Sequence, residues 1–66
     1  MRFIVNGEVL EGSRAGTVME LLDELHIHKD HVAVEVNLSI VKKDMYGTFT
    51  LNDGDRVEIV KFVGGG

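Results

Sequence analysis

Three consecutive glycines, Gly64, Gly65 and Gly66, follow an apolar run without a polar spacer. Glycine lacks a Cβ, so such a segment can enter a slot that is too narrow for any other residue. The α-carboxylate of Gly66 would be ionised at neutral pH, because its ordinary pKa is about 3.3–3.7. An ionised carboxylate becomes an acyl donor only after activation, for example by attack on the α-phosphate of ATP. Glycine-rich ends are also common as linkers or disordered termini, so the other residues must decide between these interpretations.

Side chains that could act as nucleophiles or metal ligands are scarce. No Ser or Thr lies in a nucleophile motif such as Gly-x-Ser-x-Gly, and there is no cysteine. His26, His28 and His31 are close enough in sequence to bind a metal. They fall at the expected end of a helix, however, where histidine also interacts favourably with the helix dipole. We therefore predict no metal site, no catalytic side chain, and a chain that is acted on by an enzyme rather than being one.

The acidic residues have structural explanations. The polar side of the expected helix carries Glu20, Asp23 and Glu24, and contact with solvent there accounts for their charged side chains. Asp53 and Asp55 flank a turn glycine, a position that both side chains favour by bonding to their own backbone. The terminal glycines do not form a phosphate-binding loop either, because no helix follows them. Any ATP must therefore be bound by another protein.

Five strand-like runs and one amphipathic helix precede the glycines. Asn6-Gly7 separates the first two runs and suits a type I′ hairpin turn. The helix is expected over Val18–His26, with a capping box at its start and apolar residues at i, i+3, i+4 and i+7. The predicted strands are Arg2–Val5, Glu8–Glu11, His31–Val36, Ile40–Val41 and Arg56–Phe62, with one helical turn at Lys43–Tyr46 and a turn at Asn52–Asp55.

This order of elements predicts an α+β fold of the β-grasp, or ubiquitin-like, type. It would have a mixed sheet of four to five strands with one main helix packed on one face. Residues 1–63 would form a single domain, and residues 64–66 a flexible glycine tail. The last strand is expected to be central, with Val57 and Ile59 pointing inward. The alternation lapses at Val60, which indicates either full burial or exposed apolar surface.

Composition limits the classes of partner. Lys and Arg number 7 against 11 Asp and Glu, giving a net charge of −4, and this disfavours nucleic acid. No apolar stretch approaches the roughly 18 residues of a membrane span, and the start does not resemble a signal peptide. We expect a cytoplasmic protein, without a membrane or nucleic-acid partner, that is held together by apolar packing alone.

The chain resembles the ThiS family of sulfur carriers in thiamine biosynthesis over nearly its whole length. The similarity rests on Thr17–Leu22, on Val32–Asn37 and above all on the block from Asp53 to Gly66. A Gly-Gly end alone is shared with ubiquitin-like modifiers and with the small subunit of molybdopterin synthase. The whole block from Asp-Gly-Asp to Gly-Gly-Gly, in a chain of this length, is more specific.

The resemblance implies a cycle of activation and sulfur transfer. A ThiF-like adenylyltransferase would adenylate Gly66 with ATP, and a sulfur donor such as a cysteine desulfurase would lead to the thiocarboxylate, a terminal 1-thioglycine. Thiazole synthase, ThiG, would then receive the sulfur. Gly64 and Gly65 would thread the tail into both active sites, where a Cβ would clash. The chain itself would bind no cofactor and would be a monomer when alone.

Val60, Phe62 and Val63 are the expected docking surface beside this tail, because exposed apolar clusters commonly mark interfaces. Simple core packing of the last strand is the alternative. Other functions also stay open at this point. A molybdopterin-type carrier or a ubiquitin-like modifier would use the same activation, whereas a non-carrier β-grasp binding module would not.

Three positions depart from the family pattern. Asn37-Leu38 stands where Asn-Gly is frequent, Lys42 where proline is common, and Tyr46 where tryptophan is frequent. These differences leave open the turn after the third strand and the irregular segment that follows it.

Overall fold

The computed structural model describes residues 1–62. Within them, every predicted element is present, with ends that differ from the prediction by one or two residues. The regular elements are β1 Phe3–Val5, β2 Glu8–Leu10, α1 Val18–Glu24, β3 Val32–Val36, β4 Ser39–Val41 and β5 Arg56–Lys61. Lys29–His31 and Lys43–Met45 each form a short 3-10 turn.

The strands form one mixed sheet in the order β2-β1-β5-β3-β4. The last strand, β5, lies in the middle, parallel to β1 and antiparallel to β3. Parallel neighbours require a long crossover connection, and here it contains β2, α1, β3 and β4. One helix packed across a five-stranded mixed sheet is the predicted α+β β-grasp architecture, which is therefore confirmed.

The hydrophobic core lies between α1 and one face of the sheet. Apolar side chains of the helix and of all strands except β2 are almost fully buried there, among them Phe3, Val18, Leu21, Leu22, Val34, Val41 and Val57. Tyr46 is also buried, and its hydroxyl donates a hydrogen bond of 3.4 Å to the carbonyl of Val32. The residue that replaces the family's frequent tryptophan is thus a core residue with a satisfied polar group.

Two hairpins turn through pairs of residues with positive φ, as type I′ turns require. Asn6 and Gly7 have φ of 49° and 83°, and Asn37 and Leu38 have φ of 51° and 71°. The β3–β4 turn therefore keeps its tight geometry even though leucine occupies the place of glycine. Leu38 is also 82% exposed, so packing in this chain does not offset its strained backbone.

The start of α1 carries one of the two hydrogen bonds of the predicted capping box, and the second one is shifted to the residue before the cap. Thr17 Oγ1 accepts a hydrogen bond from the Glu20 N–H, and Glu20 Oε1 accepts one of 2.7 Å from the Gly16 N–H. Glu24, expected to be solvated, instead accepts hydrogen bonds of 2.9 and 2.8 Å from the buried hydroxyl of Ser13. This carboxylate ties the end of the helix to the loop that leads into its start.

The helix ends two residues before the predicted position. His26 has a φ of 58°, the Ile27 N–H donates to the Leu22 carbonyl at 2.8 Å, and the His26 N–H donates to the Asp23 carbonyl at 3.1 Å. These two bonds form a Schellman motif, in which the residue after the cap is left-handed. Histidine takes the place that glycine usually holds, so the sequence carried no clear stop signal there.

Candidate functional site

The beginning of β5 is fixed by the Asp53–Gly54–Asp55 turn. Asp53 Oδ1 accepts a hydrogen bond of 2.7 Å from the Arg2 N–H, and Asp55 Oδ2 accepts one of 2.8 Å from the Asn52 N–H. Asp55 Oδ1 also accepts a hydrogen bond of 3.0 Å from Asn37 Nδ2. The carboxylates therefore join β5 to the first strand and to the β3–β4 turn, in agreement with their structural interpretation.

The middle of β5 is held by the side chain of Asn6. Its Oδ1 accepts a hydrogen bond of 2.7 Å from the Ile59 N–H, and its Nδ2 donates one of 3.1 Å to the Ile59 carbonyl. Because β1 ends at Val5, this primary amide extends the β1–β5 pairing by one step. Sequence reasoning recognised Asn6 only as a turn residue. The sequence feature that could have predicted this role is the position of Asn6 directly after a strand, together with a side chain that both donates and accepts hydrogen bonds.

The end of β5 pairs with β3 as far as the last residue that the structure describes. Val32 lies opposite Lys61, and the Phe62 N–H donates a hydrogen bond of 2.9 Å to the His31 carbonyl. The predicted sulfur-bearing group of Gly66, the threading residues Gly64 and Gly65, and Val63 lie outside the described residues. The structure thus gives the base of the proposed tail, and the roles of the tail itself stay predictions.

Apolar side chains are exposed near this base. Val60 and Phe62 are 58% and 56% exposed, so core packing does not account for either of them. Val60 lies opposite the exposed Ala33 on β3, on the side of the sheet away from α1. Of the two explanations for the lapse in alternation, exposed apolar surface is the one observed, and docking by these residues stays a prediction.

The histidines lie beside the end of β5. The rings of His28 and His31 stack with centroids 4.8 Å apart, and His28 Nδ1 accepts a hydrogen bond of 3.2 Å from the Asp30 N–H. Together with His26, Lys61 and neighbouring apolar residues they line an open hollow. Over residues 1–62, no group of three or more His, Cys, Asp or Glu side chains is arranged to hold a metal ion.

The acidic neighbour of these histidines has a perturbed titration. A hydrogen bond from Lys43, whose Nζ lies 3.2 Å from Asp30 Oδ1, lowers the pKa of the Asp30 carboxyl below its ordinary value of 3.8. The positive charge of the same lysine acts in the same direction. The ion pair joins the two 3-10 turns, so its role is structural.

No helix within residues 1–62 is long and apolar enough to span a bilayer.

Comparison with known proteins gives a consistent set of similarities. The model of the ThiS family matches residues 2–66. A thiazole synthase from Paramagnetospirillum magneticum is 48% identical over 66 residues, which is all of this chain but only 20% of that protein. The sulfur carrier protein ThiS of Bacillus subtilis is 38% identical over 63 residues, which cover 94% of this chain and 96% of that one.

The fold comparison agrees. The crystal structure of the thiamine biosynthesis protein ThiS from Geobacter metallireducens superposes with a TM-score of 0.81 at 35% identity, covering the whole of both chains. The chain thus spans about a fifth of the thiazole synthases that it matches and nearly the full length of the small carriers.

Proposed function

This chain belongs to the ThiS family, and from that membership we propose that it carries sulfur in thiamine biosynthesis on the carboxylate of Gly66. The observation that carries the proposal is the family match itself, which runs without interruption to Gly66. The name of the Geobacter metallireducens structure, a thiamine biosynthesis protein, supports thiamine biosynthesis over a molybdopterin role or protein modification.

The proposed chemistry has three steps. A carboxylate oxygen of Gly66 attacks the α-phosphate of ATP in a ThiF-like adenylyltransferase, and pyrophosphate leaves. The terminal sulfur of a persulfide on a donor such as a cysteine desulfurase then attacks the acyl carbon, and AMP leaves. A thiol reductant supplies the two electrons that cleave the resulting acyl disulfide, so that a thiocarboxylate remains. Thiazole synthase is the proposed acceptor of this sulfur. Its support is that two thiazole synthases contain a segment similar to the whole of this chain.

The chain's own contribution is to hold the tail and to present it. Asn6 and Asp55 fix β5 to its neighbours along its length, so the proposed reactive end follows a strand that is held at the centre of the sheet. Gly64 and Gly65 would let this end pass through narrow channels in the partners. Oriented donors in those partners would stabilise the charge that develops during adenylation. The chain acts in this scheme as a substrate and carrier rather than as an enzyme.

Intact mass spectrometry tests the proposal. The protein is incubated with ATP, a ThiF-like adenylyltransferase, a cysteine desulfurase, cysteine and a thiol reductant, and we expect the mass change that replaces one oxygen by sulfur. A variant lacking Gly66 is the matched control, and it should keep its unfolding temperature while showing no mass change. An unchanged mass of the intact chain, under conditions that charge the ThiS of Bacillus subtilis, would contradict the proposal.

The docking residues are tested by removing exposed apolar surface near the tail. The V60S and F62S substitutions should each slow adenylation by about 10-fold, the effect of losing one well-packed interface contact. The unfolding temperature should change little, because both side chains are exposed. V9S is the control, since Val9 is 51% exposed on the edge strand β2 and should adenylate normally. Equal rates for all four proteins would remove Val60 and Phe62 from the docking surface.

A further inference from the structure

Two glutamates occupy directly paired positions on the open side of the sheet. Glu35 on β3 lies directly opposite Glu58 on the middle strand β5. Both are half-buried and alternate with residues whose side chains enter the core against α1. Directly opposed residues have Cβ atoms about 4.5–5.5 Å apart, and like charges at such positions are destabilising.

Nothing in the described part of the chain neutralises this pair. Neither carboxylate lies within 4 Å of a Lys, Arg or His nitrogen, and neither accepts a side-chain hydrogen bond. Arg56 precedes Glu58 by two residues on the same side of β5, and Lys42 directly follows β4, but neither forms an ion pair with them. The described part of the free chain thus places two glutamates at paired positions and forms no ion pair with either of them, although Arg56 and Lys42 lie nearby.

Apolar side chains surround the pair. Ile40 lies opposite Glu35 and is 77% exposed, and Val60 follows Glu58 by two residues on the same side of the strand. A protein that covered these side chains would also remove water from the carboxylates. Taking charges out of water is costly unless an opposite charge and hydrogen bonds replace the solvent. A partner that covers this surface would therefore bind better if it brought a cation to Glu35 and Glu58, since neither carboxylate has an ion pair in the described part of the free chain.

A second copy of this chain does not meet that requirement. It would present the same two carboxylates, and the net charge of −4 on each copy would oppose the contact. Thiazole synthase is the occupant that the comparisons support, because relatives of that name carry a similar segment in the same polypeptide as the synthase. Arginine suits two adjacent carboxylates better than lysine, since its planar group offers five N–H donors in fixed directions.

We propose that Glu35 and Glu58 together bind an arginine side chain of thiazole synthase when the open side of the sheet docks on that enzyme. This inference rests on the proposed function, since it names a contact with the acceptor of the sulfur. The surface is continuous with the predicted docking residues, because Val60 follows Glu58 along β5 and Phe62 comes directly after that strand. Apolar contact and charge recognition would thus lie side by side at the base of the tail.

The test uses E35Q, E58Q and the double variant, in the full chain, with thiazole synthase from the same organism. Calorimetric titration should show about 10-fold weaker binding for each single variant and a larger loss for the double variant, since truncating a desolvated charge pair is costly. Binding of the double variant should also depend less on salt concentration. E8Q is the control, because it removes the same charge from an exposed position on β2 and should bind normally.

The unfolding temperature provides a second test. The same substitutions that weaken binding should stabilise the free protein. Relief of the like-charge contact should raise the unfolding temperature of E35Q or E58Q by a few degrees, by about 1–6 °C for a domain of this size. An unfolding temperature below that of the unmodified chain would overturn the proposal, because the pair would then stabilise the free protein. So would normal binding of the double variant.

The outcomes separate this inference from the proposed function. If the unmodified chain acquires sulfur and binds the synthase, but the double variant binds equally well, only the arginine contact is wrong. If the unmodified chain neither acquires sulfur nor binds the synthase, both proposals are wrong.

Discussion

Single side chains at the ends of strands determine how β5 is held. Asn6 extends the pairing of a short strand by offering one donor and one acceptor to the backbone of Ile59. Asp55 links the opposite end of β5 to Asn37. These groups act at separations of 53 and 18 residues along the chain, so each one closes a large loop.

Replacing Asn6 by glycine isolates the contribution of its side chain. Glycine accepts the positive φ at this position, so N6G should lower the free energy of unfolding by about 1–3 kcal/mol through the unpaired Ile59 backbone groups. Urea denaturation measures this change. N6A should cost more, because alanine adds the strain of the left-handed backbone. An N6G protein as stable as the unmodified chain would show that water replaces the amide fully.

Asp30 gives a prediction about pH. The hydrogen bond from Lys43 lowers the pKa of the Asp30 carboxyl below 3.8, so the charged form is favoured in the folded state. The stabilisation from this pair is therefore complete above about pH 3.8 and is lost as the pH falls through the lower folded pKa. An NMR titration should find the reduced pKa, and K43M should raise it. K42M is the control, and an equal shift in both variants would rule out the specific pair.

At the scale of elements, the β3–β4 hairpin keeps a tight turn at some cost. Leu38 has a φ of 71°, a conformation that costs an ordinary residue about 1–2 kcal/mol. The segment after it is nevertheless well formed, since Ser39–Val41 pairs with β3 in full register. Strand pairing on both sides thus imposes a conformation that leucine does not favour.

The substitution L38G should therefore stabilise the domain. Relief of the strain should increase the free energy of unfolding by about 1 kcal/mol, less any gain in the flexibility of the unfolded chain. Thermal and urea denaturation both measure this change. L38A removes the same exposed apolar side chain but keeps the strain, so it should give no such gain. Equal stabilisation by both substitutions would assign the effect to the lost apolar surface.

The sequence predictions were more accurate for features formed by neighbours in sequence than for contacts between distant segments. The Asn6-Gly7 turn and the Thr17 cap depend on neighbours in sequence, and both were predicted correctly, although Glu20 bonds to Gly16 and does not close the capping box on Thr17. The end of α1 was misplaced because His26, and not glycine, adopts the left-handed position. The Asn6–Ile59 bonds and the Glu35–Glu58 contact depend on strand register between distant segments, which one sequence does not define.

At the scale of the whole molecule, the described core and the proposed reactive group lie in different parts of the sequence. The core and the contacts that hold β5 lie within residues 1–62, whereas the proposed reactive group lies at Gly66. Substitutions in the tail should therefore alter sulfur transfer without altering unfolding, and core substitutions should do the reverse. This separation makes the mass measurement and the unfolding temperature independent tests of any variant.

The position of β5 also determines when the fold can form during synthesis. β5 joins the two halves of the sheet, since β1 and β3 each pair with residues from Arg56 onward. It is also the last strand of this sheet to be synthesised. Until it emerges from the ribosome, the hairpins β1–β2 and β3–β4 have no common partner, and isolated hairpins are at best marginally stable. We therefore expect the domain to fold only after nearly all of it has been translated. Until then, the nascent hairpins would be accessible to chaperones.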